Sequence, residues 1–218
     1  GSGQAEWRGF LPADGGVRLA WRRTQGKSEA ALSFTSAELV EVRVGAGMLR
    51  EVAQLSFRVL QGKLGAVRVR VDGPGEIVGV EGANVLGWKM QPMEEEGARG
   101  LEVRLSRPFE GEGALTVRAQ AALGGFPVRA EPLRFTPEGT VRHAGHVRVA
   151  NTGAVRLEVA DVEGMMQLAP AQFPGGAVEA GARQVFVYRF PSAEHAYRVL
   201  ASQIFSDVSV AEVVTYEL

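Results

Sequence analysis

Three histidines, His143, His146 and His195, are the first residues whose chemistry would matter. His143-Ala144-Gly145-His146 has the spacing of a metal-ligand pair, but on a strand positions i and i+3 point to opposite faces. Only a turn at Ala144-Gly145 would bring the two imidazoles together, and no nearby Asp offers a third ligand. His143 and His146 are therefore expected to be surface or edge histidines. Glu194-His195 has no visible nucleophile partner. Glycoside cleavage needs two carboxylates about 5 Å or about 6.5–9.5 Å apart across a cleft. Glu110 with Glu112, or Glu81 with Glu102, could form such a pair, but Glu is spread so widely over this chain that coincidental pairs are unavoidable. No Gly-x-Ser-x-Gly elbow is present, and Ser56 and Ser106 sit within strand patterns. Calcium requires clustered oxygens, whereas Asp14, Asp72, Asp161, Asp207, Asn84 and Asn151 are scattered. Glu94-Glu95-Glu96 reads as a solvated loop. With no cysteine, disulfides, cysteine–zinc sites and a thiol nucleophile are all excluded. No catalysis and no cofactor are expected.

Aromatic side chains offer a different chemistry, because sandwich domains that bind carbohydrate often use exposed aromatic platforms. Trp21 shares one strand face with Val17 and Leu19, which places it in a core. Trp7 and Trp88 lie beside Gly-rich turns and are the two candidate ligand-binding residues.

The elements that must position these residues announce themselves by a period of two. Ala53, Leu55, Phe57 and Val59 alternate with Gln54, Ser56 and Arg58. Val67, Val69 and Val71 alternate with Arg68 and Arg70, and the same pattern recurs over Leu101–Leu105 and Leu115–Ala119. Each run makes one buried and one wet face, the mark of antiparallel sheets. Gly and Pro, 28 and 10 in number, fall between the runs. Gly45-Ala46-Gly47 reads as a hairpin turn with long arms, and turns at this spacing point to a sandwich or barrel. The fold class is therefore all-β, a large antiparallel β-sandwich with little or no helix. Two segments are ambiguous. Met48, Val52, Leu55 and Val59 also fit a helical spacing, but strict alternation from Ala53 favours strand. Ser192–Phe205 reads as strand, with an N-capped helix as the alternative.

Composition narrows the partners. The 24 basic and 25 acidic residues leave a net charge of −1, which argues against binding driven by nucleic-acid or membrane charge. Arginines on the wet faces, among them Arg43, Arg58, Arg68, Arg104, Arg118, Arg148 and Arg156, are interspersed with Glu41, Glu51, Glu102 and Glu158 and read as solvated cross-strand ion pairs. No apolar run approaches the roughly 18–20 residues that span a bilayer as a helix. Residues 1–3, Gly-Ser-Gly without Met, read as a cloning remnant, and residues 4–218 as one β-sandwich domain. Within it, Gln91–Gly100 is expected to be a hairpin loop and Gly164–Gly181 an excursion over a sheet edge. The C-terminal end reads as the opening of a further β unit or as a strand completing the sheet.

Phe57-Arg58-Val59, the run from Gly65 to Val71, Gly79-Val80-Glu81-Gly82, Trp88, Leu101–Leu105, Leu115-Thr116-Val117, Gly145–Ala150 and Tyr188-Arg189-Phe190 together form a recognisable set. Over roughly Ala30 to Phe190 the chain resembles the repeated β-rich region of large uncharacterised envelope-type proteins of planctomycete-like bacteria. That resemblance implies an exported, multi-domain β protein in the periplasm or cell envelope, and it brings no activity or site residues with it. The absence of cysteine is equally compatible with the cytoplasm. The expected role is a non-catalytic structural or interaction module of a larger protein. Its partners would be the parent's other domains, another protein or a glycan, with neither nucleic acid nor membrane insertion involved. The alternatives are a carbohydrate-binding accessory module or a glycoside-processing enzyme domain.

Overall fold

From Phe34 to Val44 every even-numbered residue is buried, and this alternation builds β1 (Ser33–Val44). The chain reverses at residues 45–47, where the Gly45 N–H donates to the Met48 carbonyl at 3.0 Å and Gly47 takes a φ of +82°. That conformation favours glycine, so a tight turn is possible here. The second arm is β2 (Met48–Gln61), which settles the ambiguous Met48–Val59 segment as strand. These features come from a computed structural model that describes residues 31–204, apart from 46, 95–96 and 179–180.

Among the described residues three sheets form. The largest has seven strands, in the order β12 (Met166–Leu168), β13 (Val185–Phe190), β10 (Arg142–Asn151), β1, β2, β7 (Glu112–Ala122) and β4 (Glu76–Glu81). A three-stranded sheet joins β11 (Val155–Glu163), β14 (Ala196–Gln203) and β8 (Val128–Ala130). A four-stranded sheet joins β5 (Val85–Pro92), β6 (Ala98–Phe109), β3 (Leu64–Asp72) and β9 (Arg134–Pro137). The inner faces of all three feed one apolar core: Val42, Leu49, Leu55, Phe57, Leu115 and Val117 from the large sheet, Val69, Leu101 and Val103 from the four-stranded sheet, and Leu157 and Val199 from the three-stranded one. The expected all-β sandwich is what the chain forms. The described residues contain a single 3₁₀ turn, Pro170–Gln172, and Ser192–Phe205 contributes β14 rather than a helix.

One pairing departs from the antiparallel expectation. β1 and β10 run parallel, with Ser36 opposite His143 and Glu38 opposite Gly145. They are too far apart in sequence for a hairpin, and the strands of the other sheets make the return path that a parallel pair requires.

The outer faces carry the expected ion pairs. Arg58 and Glu112 sit opposite each other on β2 and β7 and meet at 2.8 Å, and Arg118 of β7 reaches Glu81 of β4 at 3.3 Å. Arg148 is a correction to that reading. It is buried, because residues 169–176 fold back across β10: its guanidinium lies 4.3 Å from the centre of the Phe173 ring, donates to the Gly176 carbonyl at 2.6 Å and meets Glu41 at 2.8 Å. The Gly164–Gly181 excursion thus supplies both edge strand β12 and this cover. The Gln91–Gly100 loop is shorter than expected, since β5 runs to Pro92 and β6 begins at Ala98.

Candidate functional site

The core holds polar residues where the strand pattern calls for apolar ones. Ser36 and Glu38 share the inward phase of Phe34, Val40 and Val42 on β1, and Glu51 shares that of Leu49, Ala53 and Leu55 on β2. The parallel register sets His143 of β10 beside Ser36. Ser36 Oγ lies 2.9 Å from His143 Nδ1, and His143 Nε2 lies 3.2 Å from Glu38 Oε2. The Ser36 hydroxyl also reaches Thr140 Oγ1 at 3.1 Å, and the Thr140 hydroxyl donates to the Arg142 carbonyl at 2.8 Å, with the Phe34 carbonyl 3.3 Å away.

The facing layer completes the cluster. The Leu133 N–H, in the link between β8 and β9, donates to Glu51 Oε2 at 2.8 Å. Tyr197 of β14 is buried beside Glu51 and Glu38. His195, just before β14, stacks on Phe190 with ring centres 4.0 Å apart and planes 13° apart, while His143 lies 5.5 Å from the same ring. Arg134 of β9 donates to the His195 carbonyl at 2.7 Å. Gly145 makes this packing possible, since a Cβ there would strike the Glu38 carbonyl oxygen and the Phe190 ring.

Burial sets the charge state of these groups. It raises the Glu51 carboxyl to about 8, partly relieved by the Leu133 N–H and reinforced by neighbouring Glu38. Burial also raises Glu38, against the opposing pull of its hydrogen bond and charge interaction with His143. It lowers His195 to about 4, opposed by the bond to the Ser192 carbonyl and reinforced by Arg134 and His143. Tyr197 is held well above the usual phenol range by burial and then by the two carboxyls. Glu51 therefore carries its proton at neutral pH and His195 carries no charge. Glu38 Oε1, Glu51 Oε1 and the Tyr197 hydroxyl are buried without a hydrogen-bond partner among the described residues.

Serine, histidine and carboxylate in a chain suggest a hydrolase triad, but the geometry opposes that reading. The ring nitrogens are reversed relative to serine hydrolases, with Nδ1 rather than Nε2 facing the hydroxyl. The side chains of His143 and Glu38 are only 1% and 2% exposed, so no acyl carbonyl can approach Ser36 from the cluster side. The arrangement ties β1 to β10.

Of the residues singled out by sequence, His143 is the clearest correction: it is a core residue, not a surface or edge one. His146 lies half-buried on the opposite face, so the two imidazoles do diverge. Burial, and then the charge of Arg189, lower its pKa. The carboxylates of these candidate pairs each have a cationic partner of their own. Glu110 meets Lys63 at 2.5 Å, Glu112 meets Arg58, Glu81 meets Arg118, and Glu102 meets Lys89 at 3.4 Å. Among the described residues no three His, Asp or Glu side chains gather with metal-ligand spacing. Trp88 is 37% exposed on edge strand β5, opposite core residue Val103, with Leu86 more exposed beside it. Trp7, Trp21, Glu95, Glu96 and Asp207 lie outside the described residues, as do residues 4–30 of the expected domain and the C-terminal end from 205. Glu51 is a second correction: expected on a solvated face, it is buried in the inward phase of β2. Glu38 was passed over, although it carried a usable signal, a carboxylate in the apolar phase of a strand.

On the outward side of Tyr197 is a charged cleft of about 280 Å³. Asp72, Glu131, Asp161 and Glu163 line it together with Arg134 and Arg198. Arg198 bridges Glu131 at 2.6 Å and Asp161 at 3.0 Å, and Arg134 meets Asp72 at 3.4 Å, so the two arginines are each held within the cleft.

No protein family and no curated protein matches the chain. Among solved structures it is similar to an M1 zinc metallopeptidase from Deinococcus radiodurans, with 14% identity over 78% of this chain and 42% of that one, at a TM-score of 0.43. It is also similar to native yeast LTA4 hydrolase, with 7% identity over 88% of this chain and 33% of that one, at a TM-score of 0.46. The chain spans less than half the length of either, and likeness at this level carries no functional argument.

Proposed function

We propose that the chain is a non-catalytic structural or interaction module of a larger exported bacterial protein. One observation carries this reading. The side chains best suited to chemistry, Ser36, His143 and Glu38, are sealed between sheets and spent on one another. Glu81, Glu102, Glu110 and Glu112 are engaged in separate ion pairs along the strand faces. Leu86 and Trp88 are exposed apolar side chains on edge strand β5, and they suit a protein neighbour or the face of a sugar ring. The periplasm or cell envelope is the proposed location, resting on the resemblance of the chain's β-rich pattern to envelope-type proteins.

The reading is tested by incubating the protein with ester, peptide and glycoside substrates from about pH 5 to about pH 9, the range in which histidine and raised carboxyls act. The expected result is no turnover above buffer. Turnover that disappears in Ser36→Ala or His143→Gln overturns it. A glycan array with wild type and Trp88→Ala separates the two contact readings, since only sugar binding lost in the variant supports a carbohydrate module.

A further inference from the structure

We propose that the buried polar cluster is a proton-controlled clasp between the sheets. While Glu51 keeps its proton, β14 and the 131–133 link are held against the seven-stranded sheet. Loss of a proton from Glu51 lets that side open while the large sheet stays formed.

The geometry places the two halves of the clasp on different layers. Glu38, Glu51 and His143 come from β1, β2 and β10. Tyr197 comes from β14, the Leu133 N–H from the link, and His195 from the segment before β14. The groups that face Glu51 are the carboxyl of Glu38, the phenol of Tyr197 and one backbone N–H. Arg134, the cation of the facing layer, is turned to the His195 carbonyl and to Asp72. His143 is engaged by Glu38 and Ser36. A deprotonated Glu51 would therefore be a buried anion beside a second carboxyl with a single hydrogen bond, an arrangement that strongly favours solvation.

The thinner layer is the side that can yield. Glu51 lies in a strand paired on both sides, with β1 and with β7, along nearly its whole length. By contrast, β8 pairs with β14 through three residues, and the link holds Glu51 by one N–H. That side borders the charged cleft, which Tyr197, Ala196 and Pro132 line.

The pH window follows from the shifts. Between the ordinary carboxyl value and about 8, the closed form holds a proton on Glu51 that the open form releases, so opening grows as pH rises. His195 works in reverse below about 6.5, because an exposed imidazole takes up a proton that the buried one, lowered to about 4, refuses. The two effects offset each other at lower pH. Net opening should rise about tenfold per pH unit between about 6.5 and about 8, roughly 30-fold in all, and level off above.

Hydrogen–deuterium exchange, corrected for intrinsic rates, tests this on wild type and Glu51→Gln. In wild type, amides of Glu131, Leu133 and 196–203 should open more readily than those of β2 and β7 at every pH and show the 30-fold rise. In Glu51→Gln the rise should vanish. Equal opening constants for β14 and β2, or a rise that survives in the variant, overturns the clasp. If the variant does not fold, carbon-13 carboxyl NMR on wild type decides: Glu51 titrating in the same window in which β14 opens upholds it, and Glu51 titrating with ordinary glutamates overturns it.

Discussion

Ser36 and His143 are 107 positions apart in the chain, yet Ser36 Oγ and His143 Nδ1 lie 2.9 Å apart in the core. The parallel pairing of β1 with β10 puts them side by side, and Glu38 one step further along takes the other ring nitrogen. Removing a member of this chain leaves buried partners unsatisfied, which is costlier than the net worth of the bond itself. His143→Ala should therefore cost on the order of 3 kcal/mol by urea denaturation, adding a cavity to two stranded groups. Ser36→Ala should cost only about 1 kcal/mol, because the imidazole keeps Glu38.

Stability should fall on the alkaline side, between about pH 6.5 and about pH 8. Glu51, raised to about 8, contributes stability that is fully present below its ordinary value and is lost as pH rises towards 8. His195, lowered to about 4, contributes stability that is present above about 6.5 and is lost as pH falls. The net loss between about pH 6.5 and about pH 8 is on the order of 2 kcal/mol. Guanidinium midpoints measured across this range check the curve, and a midpoint that climbs through it would contradict the assignment of a buried, protonated Glu51.

Gly145→Ala should destabilise by about 1–3 kcal/mol, since the added methyl meets a backbone carbonyl that cannot move aside. Gly111→Ala is the matched control: nothing stands within 4 Å of its added carbon, and its melting temperature should stay within the spread expected for a surface change.

Arg148→Lys should cost about 2–3 kcal/mol and loosen residues 169–176, because lysine cannot serve Glu41, the Gly176 carbonyl and the Phe173 ring together. Arg58→Ala, which breaks the exposed pair with Glu112, should cost less than about 1 kcal/mol. Limited proteolysis should cut the 169–176 segment faster only in the Arg148 variant. Equal cutting in both would remove the role assigned to Arg148.

The sheets were legible because a strand writes its two faces into alternate residues. Val67, Val69 and Val71, or Leu115 and Val117, need no distant information to be assigned inward, and Arg58 or Arg118 none to be assigned outward. The same local rule set His143 and His146 on opposite faces. Whether the wet face is covered as well, and what meets a buried side chain, depends on contacts across the fold. Arg148 follows the wet phase of β10 and is still buried, because a segment more than twenty residues later folds over it. His143 and Glu38 come together through a parallel pairing that no turn between them encodes, and Glu51 finds its donor in a link on another sheet. Periodicity thus determined the strands and their inward faces, since it is a property of consecutive residues. The buried cluster and its shifted protons were decided only when sheets distant in sequence closed on one another and excluded water.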